Sequence, residues 1–144
     1  MASSKERQIL EKVRARLTAG LEGWTVYMGK SIDSEQDDLP AVTAVVSEPF
    51  TPITAAPNDR KTKRRWQGVI DIQGDVKAPG DDPLIDIMDH GATIRRAVHT
   101  PDEPTMDGVV TEHRPVGLHP LVPGPGSAIG SVLVRLHVEY VEDY

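Results

Sequence analysis

The chain has 144 residues, a formal net charge of -6, no cysteine and only 4% aromatic residues. This length and composition predict one domain whose core consists of valine, isoleucine and leucine. The negative charge disfavours non-specific nucleic-acid binding, which needs a broadly cationic surface. The lack of cysteine excludes disulfides, thiolate metal sites and cysteine nucleophiles.

The N-terminal segment predicts an amphipathic helix. Ser3 and Glu6 form a capping-box pattern, in which each side chain accepts a hydrogen bond from a free amide at the helix start. Gly20 or Gly23 can end the helix, because glycine adopts the left-handed conformation at little cost. Apolar residues recur at intervals of three and four along one face: Ile9, Leu10, Val13, Leu17 and Leu21.

Alternating and β-branched patterns predict strands at residues 24–28, 39–47, 66–74, 109–112 and 132–141. Residues 39–47 contain AVTAVV, a near-continuous apolar run that is typical of strands covered on both faces. The last segment is the clearest, because apolar and polar residues alternate along its whole length. Its predicted core residues are Val132, Val134, Leu136, Val138 and Tyr140.

A second helix is predicted to begin at Asp82 and Pro83, with aspartate at the cap and proline in the first turn. Gly91 lies in the middle of this helix, and we interpret it as a point of close approach to the sheet rather than as a hinge. The predicted apolar stripe consists of Leu84, Ile87, Met88, Gly91, Ile94 and Val98.

The order of these elements predicts an α+β fold, with two helices packed on one face of a mostly antiparallel sheet of four to five strands. We expect a single domain over residues 1–144, with long loops at 29–38, 48–63 and 113–126. Loops longer than about 12–15 residues are usually functional or disordered, and the second and third are near that limit. We expect all three loops to contact partners.

The ionisable residues match no catalytic or metal-binding signature. Asp71, Asp75 and four further aspartates divide between a strand, a turn and a helix start. The five histidines follow no zinc-ligand spacing: His90, His99, His113, His119 and His137. We therefore predict no catalytic residue, no cofactor-binding residue and no metal site.

The glycine-rich run around Gly124 and Gly130 differs from a phosphate-binding loop, because a strand follows it and phosphate loops precede a helix. Ser127 and Ser131 also lack the GxSxG pattern of a hydrolase nucleophile. The strongest local charge feature is instead a basic cluster: Arg60, Lys61, Lys63, Arg64 and Arg65. Two interpretations remain open for it, a solvated loop before a strand or a docking patch for an acidic partner.

The N-terminal segment lacks the unbroken apolar run of a signal peptide, and no stretch of the sequence is apolar enough to cross a bilayer. We therefore expect a soluble, cytoplasmic protein without a membrane partner.

Four segments of the chain carry a resemblance to a known family: ILEKVRARLTAGLEGWTVYMGKSIDSEQDDLPAVTAVVSE, WQGVIDIQGDV, DDPLIDIMDHGATIRRAV and SVLVRLHVEYVEDY. Together they resemble the tail terminator proteins, or minor tail protein U-like proteins, of long-tailed phages. The resemblance lies in the layout of elements over nearly the whole chain, and no single motif carries it. It therefore transfers no residue roles.

The resemblance implies a virion protein of the tail neck, assembled in the host cytoplasm as a hexameric ring. Such a ring ends the growth of the tail tube protein and presents a surface to the head connector or stopper protein. DNA passes through its lumen without sequence-specific binding. Two alternatives remain: a head-tail joining or head-completion neck protein, and a small enzyme, which would need a pocket with convergent polar groups.

Overall fold

The computed structural model describes residues 4–33, 39–53, 63–79, 81–124 and 127–143. Two helices and five strands follow one another in the order α1 (Lys5–Gly20), β1 (Thr25–Met28), β2 (Ala41–Pro52), β3 (Lys63–Lys77), α2 (Pro83–Val98), β4 (Glu112–Leu121) and β5 (Ile129–Asp143).

The strands form one sheet in the order β1-β2-β3-β5-β4. The pair β1 and β2 is parallel, and the other three pairs are antiparallel. Both helices contribute to one apolar core with the inner face of the sheet. The predicted α+β fold is therefore confirmed, with β1 as the parallel exception.

The core is centred on β5, as the alternating pattern predicted. Its five predicted core residues are all 0% exposed: Val132, Val134, Leu136, Val138 and Tyr140. The same core contains Ile9, Val13 and Leu17 of α1 and Ile87, Ile94 and Val98 of α2. The burial of Tyr140, next to the Glu6 carboxylate of α1, raises the pKa of its hydroxyl.

Helix α1 begins one residue later than the capping-box pattern predicted. Ser4 is the N-cap, and its hydroxyl accepts a hydrogen bond from the Arg7 amide at 3.2 Å. Ser3 lies outside the described residues. At the other end the Leu21 amide donates to the Leu17 carbonyl, so the helix closes just after Gly20.

Helix α2 confirms the interpretation of Gly91. A Cβ at this position would lie 2.7 Å from Cγ2 of Val132 and 3.1 Å from Leu118, so glycine is what lets α2 approach the sheet. The predicted apolar stripe is only partly buried, since Leu84 and Met88 are exposed at the start of the helix.

Strand β2 is longer than predicted and less covered. The strand continues to Pro52, so part of the predicted loop at 48–63 is β-structure. Residues 41–44 are buried as AVTAVV predicted, but Val45 and Val46 are 41% and 40% exposed. The reason is that β1 ends at Met28, opposite Ala44, and leaves the rest of this edge of β2 unpaired by β1.

The predicted loop at 113–126 is wrong over its first part, because residues 112–121 form β4. The predicted strand at 109–112 is wrong except for its last residue, because residues 109–111 follow a turn in which Met106 and Asp107 adopt positive φ angles. Strand β4 pairs only with β5 and lies at the edge of the sheet, where Pro115 and Pro120 are tolerated because one side needs no donors. Within the predicted loop 29–38, residues 34–38 lie outside the described part.

Candidate functional site

An apolar groove lies between α1 and the β1–β2 edge of the sheet. Its floor contains Leu10, Met28 and Val46, and its volume is about 640 Å³. The side chains of Arg7, Glu11 and Arg14 form its rim on α1. We call this surface the β2 groove; it exists because β1 is too short to cover Val46.

A second apolar surface lies at the opposite edge of the sheet. Gly130 of β5 is next to both Ile87 and the Leu121 carbonyl, which places the start of α2 beside the end of β4. Three large apolar side chains at the start of α2 are 41% to 62% exposed: Leu84, Ile85 and Met88. We call these three residues the α2 patch.

The two surfaces differ in the charge around them. Two exposed arginines, Arg7 and Arg14, stand at the rim of the β2 groove, although Arg7 also forms an ion pair with Glu11 at 2.8 Å. Four aspartates surround the start of α2 and are all exposed: Asp81, Asp82, Asp86 and Asp89. The α2 patch is therefore apolar with an acidic surround, and the β2 groove is apolar with a mainly basic rim.

The structure does not bring the predicted aspartates together in one cleft. Asp71 forms an ion pair with Arg135 at 2.9 Å on the outer face of the sheet, the face away from the helices. Asp75 accepts a hydrogen bond from the Ser131 hydroxyl at 2.7 Å, also on this face. The remaining four surround the α2 patch.

The histidines have different surroundings, except that the rings of His99 and His113 pack edge-on against each other with their centroids 5.5 Å apart. His90 packs edge-on against Trp24, and His119 is exposed. His113 is buried: its Nδ1 lies 2.8 Å from the Pro104 carbonyl, and its Nε2 accepts from the Thr100 amide at 3.4 Å. Burial, the largest cause, lowers the pKa of His113, so the neutral ring with its proton on Nδ1 fits this site.

His137 lies on the outer face, as the alternation predicted, and there it meets two carboxylates. Atoms of Glu112, His137 and Glu139 that can ligate a metal all lie within 4.8 Å of one another. Sequence spacing gave no sign of this cluster, since Glu112 comes from β4 and the other two from β5. The cluster is revealed by the register of β4 with β5, and a single sequence does not show this register.

The basic cluster lies largely outside the described part of the chain. Arg60 and Lys61 precede the described residues of β3, and the side chains of Lys63 and Arg64 are not described either. Arg65 is exposed on β3 and takes part in a polar or electrostatic interaction. The choice between a solvated loop and a docking patch therefore stays open.

Neither helix in the described part of the chain is long and apolar enough to cross a bilayer. Comparison of the sequence with protein-family models and with curated proteins gives no match.

Proposed function

We propose that the chain is a structural ring subunit of a phage tail, which ends tube growth at the head-proximal end and docks the head connector. We infer a ring because the subunit has two different exposed apolar surfaces, the β2 groove and the α2 patch, at opposite edges of one sheet. The resemblance of the element layout to tail terminator proteins supplies the biological role.

Closed rings of one subunit need a heterologous interface, in which one patch meets a different patch on the neighbour. A concave groove on one side and a projecting helix start on the other are suited to this kind of contact. Contiguous exposed apolar patches often mark sites of interaction with other proteins. In the proposed ring, Ile85 and Met88 of one subunit enter the β2 groove of the next.

Charge supports the same pairing. The aspartates around the α2 patch meet Arg7 and Arg14 at the rim of the groove, so the two surfaces attract each other. Two identical patches would instead repel, because acidic would meet acidic and basic would meet basic. Charge complementarity therefore favours head-to-tail contacts over symmetric dimers.

The interface is tested with two single variants, Val46→Glu in the groove and Ile85→Glu in the patch. Both residues are exposed, so both variants should fold. Size-exclusion chromatography with light scattering should show an oligomer for the wild type and monomers for each variant. The resemblance to tail terminator proteins implies six chains in the wild-type oligomer. Val116→Glu is the matched control, an exposed apolar residue of β4 outside both surfaces that should leave the oligomer intact.

Mixing the two variants gives the sharpest result. Each variant keeps one intact surface, so an equal mixture should form a dimer with one of each chain and nothing larger. A mixture that stays monomeric, while the wild type forms rings, would show that these surfaces do not pair. A wild type that stays monomeric even with tail tubes present would contradict the proposal that the chain forms a ring.

The role in the tail is tested by imaging phage particles made without this protein. Tubes of uncontrolled length support termination of tube growth. Normal tails that lack heads point instead to the head-tail joining role. If the chain converts a small molecule and one substitution abolishes this activity, both structural roles are contradicted and the chain is an enzyme.

A further inference from the structure

The outer face of the sheet carries a cluster of two carboxylates and one imidazole that the ring proposal does not use. Glu112 of β4 is the direct register partner of Glu139 of β5, and His137 comes two residues before Glu139. Since alternate residues of a strand share a face, all three side chains emerge on the same side. Their possible ligand atoms lie within 4.8 Å of one another.

The two glutamates form an unfavourable pair in the isolated chain. Like charges directly opposite each other on neighbouring strands destabilise a sheet. None of the ion pairs among the described residues includes Glu112 or Glu139. Arg114 faces His137 in register and is exposed, yet it forms no ion pair with either carboxylate in that same set. A bound cation would remove this repulsion.

The ring nitrogens of His137 provide a second and independent observation. Nε2 lies 3.3 Å from the Gln67 side-chain oxygen, and because that oxygen can only accept, Nε2 carries the proton. Nδ1 then has a free lone pair, and it is buried with no hydrogen-bond partner in the described structure. Histidines that bind metals have this arrangement, with one N–H held by a polar neighbour and the other nitrogen on the metal.

From these observations we propose that Glu112, His137 and Glu139 form a binding site for a divalent transition-metal ion, with zinc as the reference ion. An imidazole among the ligands favours zinc and its neighbours over magnesium and calcium, which prefer all-oxygen sites. Tetrahedral zinc at about 2.0–2.2 Å from its ligands places them roughly 3.3–3.6 Å apart. Rotation of the exposed Glu112 side chain can close the remaining gap.

Three protein ligands leave one coordination position open to water or to a ligand from another molecule. Gln67 is a positioning residue in this site, because it fixes the tautomer of His137 and does not touch the ion. The site lies on the outer face of the sheet, while the core lies under the helices. Its loss therefore leaves the fold in place, and metal binding can be tested apart from stability.

The test is titration calorimetry of the full chain, without an affinity tag, using zinc chloride. We expect one zinc ion per chain, with binding weakened at least tenfold in Glu112→Gln and in His137→Asn. Gln67→Ala should weaken binding about tenfold, as other losses of an outer-shell partner do. His119→Asn, at an exposed histidine of β4 outside the cluster, is the matched control and should bind as the wild type does.

A melting experiment separates loss of the site from loss of the fold. Zinc should raise the Tm of the wild type, because an ion that binds only the folded chain stabilises it. In Glu112→Gln the metal-free Tm should equal or exceed that of the wild type, while zinc should raise it no further. The proposal is wrong if the wild type binds no zinc up to about 1 mM, or if folded Glu112→Gln and His137→Asn bind zinc as tightly as the wild type.

Discussion

The two faces of strand β5 show how one segment serves two purposes. On the inner face, five consecutive alternate residues are completely buried under the helices. On the outer face, the intervening residues meet polar partners across the strands: Arg135 meets Asp71, His137 meets Gln67 and Glu139 faces Glu112. The inner face stabilises the fold, whereas the outer face carries polar and charged side chains that the core does not need.

The largest expected difference between the faces comes from truncating a leucine on each. Leu136→Ala removes a fully buried side chain and should lower the free energy of unfolding by about 2–5 kcal/mol. Leu133→Ala, on the partly covered outer face of the same strand, should cost about 1 kcal/mol or less. Urea unfolding measures both, and equal costs would contradict the division between the faces.

The contact between α2 and the inner face is tested by Gly91→Ala. Alanine is the better helix former by about 1 kcal/mol, but its Cβ would lie 2.7 Å from Val132, and overpacking of this kind costs about 1–3 kcal/mol. We expect a net loss of about 1 kcal/mol in urea unfolding. Gly117→Ala, where a Cβ meets nothing within 4 Å, is the control, and a stabilised Gly91→Ala would refute the close approach.

His113 lies on the inner side of the sheet, next to the buried Val138 in register, and it should make stability depend on pH. Burial lowers the pKa of His113 below its ordinary 6.5, and electrostatic interaction with Arg16 and His99 acts in the same direction, while the hydrogen bond with the Pro104 carbonyl opposes it. Below pH 6.5 the unfolded chain therefore binds a proton at this site more readily than the folded chain does. The free energy of unfolding should fall as the pH drops through that region.

His113→Gln keeps an amide that can donate to Pro104 and removes the titrating group. Its unfolding free energy, measured by urea at pH 7 and pH 5.5, should change less with pH than that of the wild type. An unchanged slope in His113→Gln would mean that burial does not suppress protonation there.

The smallest effect is expected from Glu112→Gln on the outer face. Removing one of two opposed carboxylates should raise the metal-free unfolding free energy by up to about 0.5 kcal/mol. The rise should disappear at high salt, which screens exposed charges. A destabilised variant would show that Glu112 has a favourable partner and would weaken the argument for a bound cation.

The elements that depend on short-range patterns were predictable from the sequence. The alternation along β5 predicted all five of its core residues, and the apolar spacing of α1 predicted Ile9, Val13 and Leu17. In each case the period of the side chains matches the geometry of one element, so no distant residue has to be known. The role of Gly91 followed from the same logic, since a glycine inside a good helix needs a packing reason.

The features that depend on the sheet order were not predictable in the same way. Strand β4 contains Pro115, Gly117 and Pro120, which argue against a strand unless it lies at an edge, and the sequence does not show which strand does. Leu84 and Met88 continue the stripe of α2, but they extend past the part of the sheet that could cover them. The cluster of Glu112, His137 and Glu139 could not be predicted, because it depends on the register of Glu112 with Glu139, which local sequence patterns do not encode.

The short β1 strand has a consequence for how copies of the chain can meet. Beyond Ala44 the rest of β2 has an open edge, and open edges recruit further strands through their backbone amides, which leads to fibres. This stretch carries Glu48, Pro49 and Pro52, and proline offers no amide hydrogen. An arriving strand therefore meets a charge and gaps in the row of donors. Contacts at this edge depend on side-chain fit, which permits a particle of finite size and works against endless stacking.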